Sequence, residues 1–411
     1  MTAAKLQSET AEITNGPLTG VRILDFTSVV LGPLATQILG DYGAEIIKVE
    51  SIDGDLNRAS GVSLHPGMSS NFLAINRNKR SISIDLKSPE GRDILKRIIP
   101  TVDVLVHNMR VAAIERLGFG YRAVAALNPK IVYCAATGFG QDGPHRDKPA
   151  FDDIIQAACG LAGLNGIGRE HPDYTPSLIA DKTTGMALVN AVLAALFHRE
   201  RSGNGQCVEV PMFETMVAFT LAEHLGGLTF DPAPAKAGYA RVIAGGRKPM
   251  QTKDGYIAIL PFTGEQWAAV FDSVGRADLA KIYGVGDRHA RNAKIVSMYR
   301  DLALAMRERT TAEWMDLCAS MDIPATPIYA LDDLPQHPHL KAVGLFQTAN
   351  HPSEGPVRYV APPTKFSATP AKVRYAAPLL GQHTREILGE AGYSEHEIAS
   401  LEARRIVQQS H

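Results

Sequence analysis

The sequence predicts an α/β fold in which a large domain with a mostly parallel, doubly wound sheet carries a smaller α+β domain. Three observations lead there. Short β-rich runs alternate with helical patterns from residue 21 to residue 135, which is how parallel strands joined by crossover helices read. The texture then changes near Gly226 to Pro- and Gly-rich sequence, as at a domain crossing. Finally, 411 residues at 45% hydrophobic and 21% charged are enough for two or three domains with sizeable cores.

In chain order, Met1 to Pro17 is polar and acidic without an apolar run, so it reads as a flexible tail and neither a signal peptide nor a transit peptide. VRILDF (21–26) is a strand, 34–40 has helical spacing, and EIIKVE (45–50) is a second strand, which makes a βαβ unit. SISIDL (81–86), a helix over 89–98, VDVLVH (102–107), a short helix over 111–117 and IVYCA (131–135) continue the alternation. Helices are expected over 151–164 and 182–199, the second opening directly after Asp181. Beyond 226, strands around a Lys253-Asp254-Gly255 turn and helices over 264–274 and 292–321 form the smaller domain, and PQHPHL (335–340) looks like the return crossing. The expected organisation is therefore a tail (1–17), a large domain (18–225), a linker with the small domain (226–333), and a segment rejoining the large domain (334–411).

Charge and cysteine usage narrow the functional classes. Forty-two basic against 43 acidic residues leave a net charge of −1, so no global field attracts nucleic acid or an anionic membrane. Any anionic ligand must be held by a local cluster. Cys134, Cys159, Cys207 and Cys318 lack metal or redox spacing, which suits a reducing compartment, and the expected address is cytoplasmic. The apolar run ALVNAVLAALF ends at His198-Arg199-Glu200-Arg201 and has the length of a buried helix, not a membrane span. His171, His337 and His339 lack ligand spacing and read as loop histidines, so no metal is expected.

The first βαβ unit ends in an acid, Glu50, where a dinucleotide-binding fold places its ribose carboxylate. The loop argues against that use, because SVVLGPLATQILG offers only Gly32 before Gly40 and cannot make the G-x-G-x-x-G turn a pyrophosphate needs.

Six segments, GVRILDFTSVVLGPLATQILGDYGAEIIKVE, NRNKRSISIDLKSPEGRDIL, DVLVHNMRVAAIERLGF, ATGFGQDGP, IADKTTGMALVNAVLAAL and APLLGQHTREIL, stand in one order along nearly the whole chain. Together they resemble the family III CoA-transferases, the superfamily that includes formyl-CoA and carnitine-CoA transferases and α-methylacyl-CoA racemase. The resemblance implies a Rossmann-like large domain made from both chain ends and an interlocked homodimer. It also implies an enzyme that moves CoA from an acyl-CoA to a carboxylic acid, with CoA as substrate and product and no permanently bound cofactor. Long linkers around 226–250 and 330–345 fit the interlocked assembly.

Transferred position by position, the resemblance places CoA contacts at Val29, Ile84, Lys87, Asn108, Met109, Arg116, Leu117 and Lys148. Cations for the phosphates and apolar walls for adenine and pantetheine are the right chemistry. The family arginine after the second strand is Ser51 here, and Arg58 is the candidate replacement. The family nucleophile maps to Asp181. As a helix-opening carboxylate it would cap free N–H groups and be kept ionised by the dipole, a role compatible with attack on a thioester. Val30, Asp152, Gly245 and Gly246 are possible neighbours, with oxyanion donors expected from 29–31 or the glycine pair, and Asp153 reads as structural. A racemase or epimerase acting on 2-methylacyl-CoA is the alternative; its proton-exchanging histidine would stand at Phe151, which cannot exchange a proton. A non-catalytic CoA-binding protein is the other, and an intact Asp181 speaks against it.

Overall fold

The structure, a computed structural model, describes residues 16–243 and 247–410. Most of the expected tail, and the glycine pair Gly245-Gly246, lie outside the described residues. Six strands come first: β1 (Arg22–Phe26), β2 (Glu45–Glu50), β3 (Lys79–Ile84), β4 (Val104–His107), β5 (Val132–Thr137) and β6 (Gln206–Pro211). They are followed by β7 (Met250–Gln251), β8 (Tyr256–Ile259), β9 (Ala325–Pro327), β10 (Phe346–His351), β11 (Gly355–Val360) and β12 (Val407–Gln408). The chain divides into two compact units, one of residues 1–161, 174–219 and 339–411, the other of 162–173 and 220–338.

The larger unit is built on a seven-stranded sheet in the order β12-β3-β2-β1-β4-β5-β6. β1 to β6 pair in parallel and β12 lies antiparallel on β3. Successive residues feed opposite faces: Leu24, Ile47 and Leu105 enter one core with Ile94, Ile98 and Phe119, while Ile23, Ile46, Val104 and Val106 enter the other with Leu39, Leu188 and Val192. Burial on both faces is why these strands read as apolar runs. Of the charged residues on these strands, Asp25, Lys48, Glu50 and Lys79 are buried. A hairpin of β10 and β11 belongs to the same unit.

The smaller unit has an antiparallel sheet, β7-β8-β9, with helices whose Trp267, Phe271, Met298 and Trp314 form its core. Here the expected helix over 292–321 is two, Arg288–Ala305 and Thr311–Ser320. Thr310 starts the second by accepting from the Glu313 N–H while the Glu313 carboxylate accepts back from Thr310. The helix expected over 151–164 also divides, into Asp152–Ala158 and Leu161–Asn165, at the left-handed Gly160. The first crossover helix begins earlier than its spacing suggested, at Leu31, because Pro33 is tolerated in a first turn.

One helix, Ile179–Ser202, is long and apolar enough by length and composition to cross a membrane, yet Leu188, Val189, Val192 and Leu196 pack in the sheet's core. All four cysteines are free thiols.

Candidate functional site

In a sheet of this order the connections from β1 and β4 depart in opposite directions, and a crevice opens beyond their carboxyl ends. A cavity of about 250 Å³ occupies that place. Its walls are Ser28 to Leu31 after β1, Asn108 to Arg110 after β4, Ala136 to Gly138 after β5, the Lys148 to Phe151 loop, Gln141, Arg146 and Asp181.

The loop after β1 is held from beneath by buried charges. Lys79 donates to Asp25 and to the Pro33 carbonyl, at 3.2 and 2.9 Å. Lys48 donates to the Thr27 carbonyl and to Asp55, at 2.9 and 2.8 Å. Burial opposes the Asp25 charge, but Lys79 and Lys48 outweigh it and hold the carboxyl below its ordinary range. Burial pushes Lys79 down to about 8 despite its pairing with Asp25. Above this network Val29 is left-handed, at φ 69°, a strained conformation for a β-branched residue. Both of its peptide groups are gripped: its N–H donates to Asp55 at 3.1 Å and its carbonyl accepts from the Asn57 amide at 2.7 Å. The Asn108 side chain clamps Ser28, donating to its carbonyl and accepting from its N–H. Of the expected donor span of 29–31, the Val29 N–H is taken up by Asp55, while Val30 and Leu31 open the Leu31–Asp41 helix, whose first N–H groups have no intrahelical partner.

Asp181 does not open its helix. The helix begins at Ile179 with Leu178 as N-cap and no side-chain cap, so Asp181 lies in the first turn with its carboxylate free of any cap. Its electrostatics are also opposite to expectation. Burial, then the charges of Asp152 and Asp153, push its carboxyl up to about 7. Asp152 is buried at the start of the Asp152–Ala158 helix, where one oxygen accepts from the Asp181 N–H at 3.0 Å and the other from Gln156 at 2.5 Å. Gln156 in turn accepts the Thr175 N–H, so these contacts tie the chain around the start of the long helix. Asp153 is exposed, and its charge still acts on Asp181. One turn on, a Cβ at Gly185 would stand 2.7 Å from the Leu31 carbonyl oxygen, so only glycine permits this approach of the two helices.

The cavity thus gathers Val29, Val30, Asn108, Met109, Lys148 and Asp181 of the expected residues, with Asp152 behind Asp181. Phe151, 65% exposed, forms part of the wall. Ile84, Lys87, Arg116 and Leu117 are not in its lining. The Ile84 side chain is fully buried in the sheet core and Leu117 packs against the same core; Lys87 and Arg116 are exposed at the ends of β3 and of the Val111–Arg116 helix. Arg58 cannot replace a phosphate-binding arginine after β2. It is buried, donates twice to Glu50 at 2.7 and 2.8 Å and to the Pro378 carbonyl, and lies over Phe72. Arg110, Arg146 and Gln141 line the cavity without having been singled out in the sequence, although Gln141 stands in the quoted ATGFGQDGP segment. His337 packs against Tyr329 in the smaller unit.

Residues 18–384 match the family described as CoA-transferase family III. The mouse succinyl-CoA:glutarate CoA-transferase is 33% identical over 395 residues, covering 96% of this chain and 91% of that protein. The succinyl-CoA--L-malate CoA-transferase beta subunit of Chloroflexus aurantiacus is 32% identical over 95% of this chain and 98% of its own. The crystal structure of Rv3272 from M. tuberculosis superposes with a TM-score of 0.79 at 28% identity, over 90% of this chain and 99% of that one. A mixed α/β fold on a large, mostly parallel sheet and a match over most of the length agree: the chain belongs to CoA-transferase family III, and is an enzyme that transfers coenzyme A from an acyl-CoA to a carboxylate.

Proposed function

We propose that Asp181 is the nucleophile and carries the transferred group covalently. The supporting observation is a half-buried carboxylate, free of any cap, in the wall of the cavity at the carboxyl ends of β1 and β4. The carboxylate attacks the acyl-CoA carbonyl, the C–S bond breaks, and an aspartyl-acyl anhydride forms as CoA thiolate departs. The thiolate then attacks the aspartyl carbonyl, which expels the donor acid and leaves an aspartyl-CoA thioester. The acceptor carboxylate repeats the two steps in reverse and regenerates Asp181. Each step exchanges one activated acyl bond for another, so neither ATP nor water enters. The N–H groups of Val30 and Leu31, at a helix N-terminus, are suited to the tetrahedral oxyanions.

Arg110, Arg146 and Lys148 give the cavity three cations, which suits a substrate with a second carboxylate as well as CoA itself. Succinyl-CoA is the proposed donor, in keeping with the names of the mouse and Chloroflexus relatives. CoA would run from Met109 at this cavity toward Ile84, Lys87, Arg116 and Leu117, with the adenosine at the β3 end. The enzyme would work in the cytoplasm as a homodimer, residues 226–333 forming a small domain joined to the large one by crossing linkers.

The test is chemical trapping. Hydroxylamine or borohydride added to enzyme and succinyl-CoA should modify one carboxyl, and peptide mapping should place it at 181. Asp181→Asn should abolish transfer while CoA still binds. Modification at Asp152, or transfer retained in Asp181→Asn, would remove Asp181 from this role.

A further inference from the structure

A second cavity, of about 560 Å³, lies at the carboxyl edge of the same sheet, two strands from the Asp181 side, lined by Ile52 after β2, by β12, and by Arg385, Glu402 and Arg405. Its two arginines differ. Arg385 donates to Glu395 and Glu402 and is neutralised by them. Arg405 is exposed and enters no ion pair with the described residues.

The backbone at Arg405 is unusual for an arginine. The Glu395–Ala403 helix ends in a paired turn in which the Arg405 N–H donates to Glu402 and the Ile406 N–H to Leu401, both at 2.9 Å. That turn puts Arg405 at φ 56°, a place normally taken by glycine. An arginine kept there against its conformational preference points to a use for its side chain. Strand register supplies a second cation. Val407 pairs with Ile84, and the Asp85 N–H donates to the Ile406 carbonyl at 2.8 Å, so Arg405 and Lys87 leave the β12–β3 pair at the same end. The Lys87 side chain is exposed.

CoA differs from a simple thioester by its nucleotide, whose 3′-phosphate is a dianion suited to a guanidinium fork. We propose that Arg405, in the wall of this cavity, binds the 3′-phosphate of CoA, with Lys87, leaving the same end of the β12–β3 pair, as a second cation. The assignment rests on the reading that CoA extends from Asp181 along the carboxyl edge to β3. It gives the C-terminal strand a direct part in substrate recognition, and it supplies the cation that Ser51 lacks and that Arg58, bound to Glu50, cannot provide.

Calorimetry with CoA and 3′-dephospho-CoA tests it on wild type, Arg405→Gly and Lys148→Ala. Glycine suits the backbone angle, so Arg405→Gly should melt, without ligand, no lower than wild type. Wild type should prefer CoA. Arg405→Gly should lose affinity for CoA on the order of 10- to 100-fold and none for 3′-dephospho-CoA, abolishing the preference. Lys148→Ala, beside Asp181, should weaken both ligands. If Arg405→Gly leaves CoA binding unchanged, or weakens both ligands equally, the 3′-phosphate assignment is overturned while a weakened Lys148→Ala keeps the CoA path. If neither variant changes binding, the path itself is wrong.

Discussion

For the proposed nucleophile, a carboxyl raised to about 7 is about half ionised near neutral pH and more basic than one at the ordinary value of 3.8, which suits attack on a thioester. The acid limb of kcat/KM should therefore fall off through an apparent pKa of about 7, not 4. Since the Asp152 charge is the second cause after burial, Asp152→Asn should move that limb to lower pH. A pH–rate profile measured on both enzymes decides; an acid limb at 4 in wild type would contradict the proposed source of reactivity. The sign for stability follows. A carboxyl whose pKa is raised on folding costs nothing below its unfolded value, and the penalty grows until the pH passes the folded value. Asp181→Asn should leave stability unchanged at pH 4 and raise it at pH 8, on the order of 1–2 kcal/mol after allowing for partial exposure. Asp152 was legible as a neighbour of Asp181; what the sequence hid was the burial of Asp181 and the effect of the Asp152 and Asp153 charges, which together raise the carboxyl instead of leaving it low.

The long Ile179–Ser202 helix delivers Asp181 by lying against the Leu31–Asp41 helix, and at Gly185 it approaches the Leu31 carbonyl too closely for any side chain. Gly185→Ala puts a methyl 2.7 Å from the Leu31 carbonyl oxygen, and one of the two helix ends must move. The expected result is a stability loss of about 1–3 kcal/mol. A fall in kcat of ten-fold or more should accompany it, because a shift of about 1 Å at reacting groups is that costly. Steady-state kinetics with thermal melts would show it; wild-type kcat would mean the approach is not needed. At this level much was legible in the sequence. The alternation of VRILDF, EIIKVE, SISIDL and VDVLVH with helical spacing gives the parallel sheet directly. The two outer strands were not read: β6 has mixed exposure, and β12 has only two residues and owes its place to β3. Asp25, Lys48 and Lys79 were also missed as loop anchors, since a charge on a strand reads as solvent-facing until both faces are known to be covered.

The exposed apolar side chains bear on assembly. Leu56, Val62 and Leu64 are each more than 70% exposed, and Phe151, Met186 and Phe197 more than half. Such exposed apolar side chains are what the proposed homodimer would cover. Light scattering is expected to give a dimer that persists at micromolar concentration and loses folded structure when dissociated; a stable folded monomer would contradict the interlocked arrangement. The Pro- and Gly-rich break near Gly226 lies close to the change of unit after residue 219, whereas the inclusion of 162–173 in the smaller unit had no such signal. The antiparallel seat of β12 on β3 has a consequence for how the molecule is made. β3 leaves the ribosome more than three hundred residues before its outer neighbour β12, so for that stretch of synthesis this edge of the sheet is bare. Closure must wait for residues 407–408 to emerge. The nascent enzyme therefore passes through a stage with its sheet largely built and one border open, and β12 acts as the stitch that ends it.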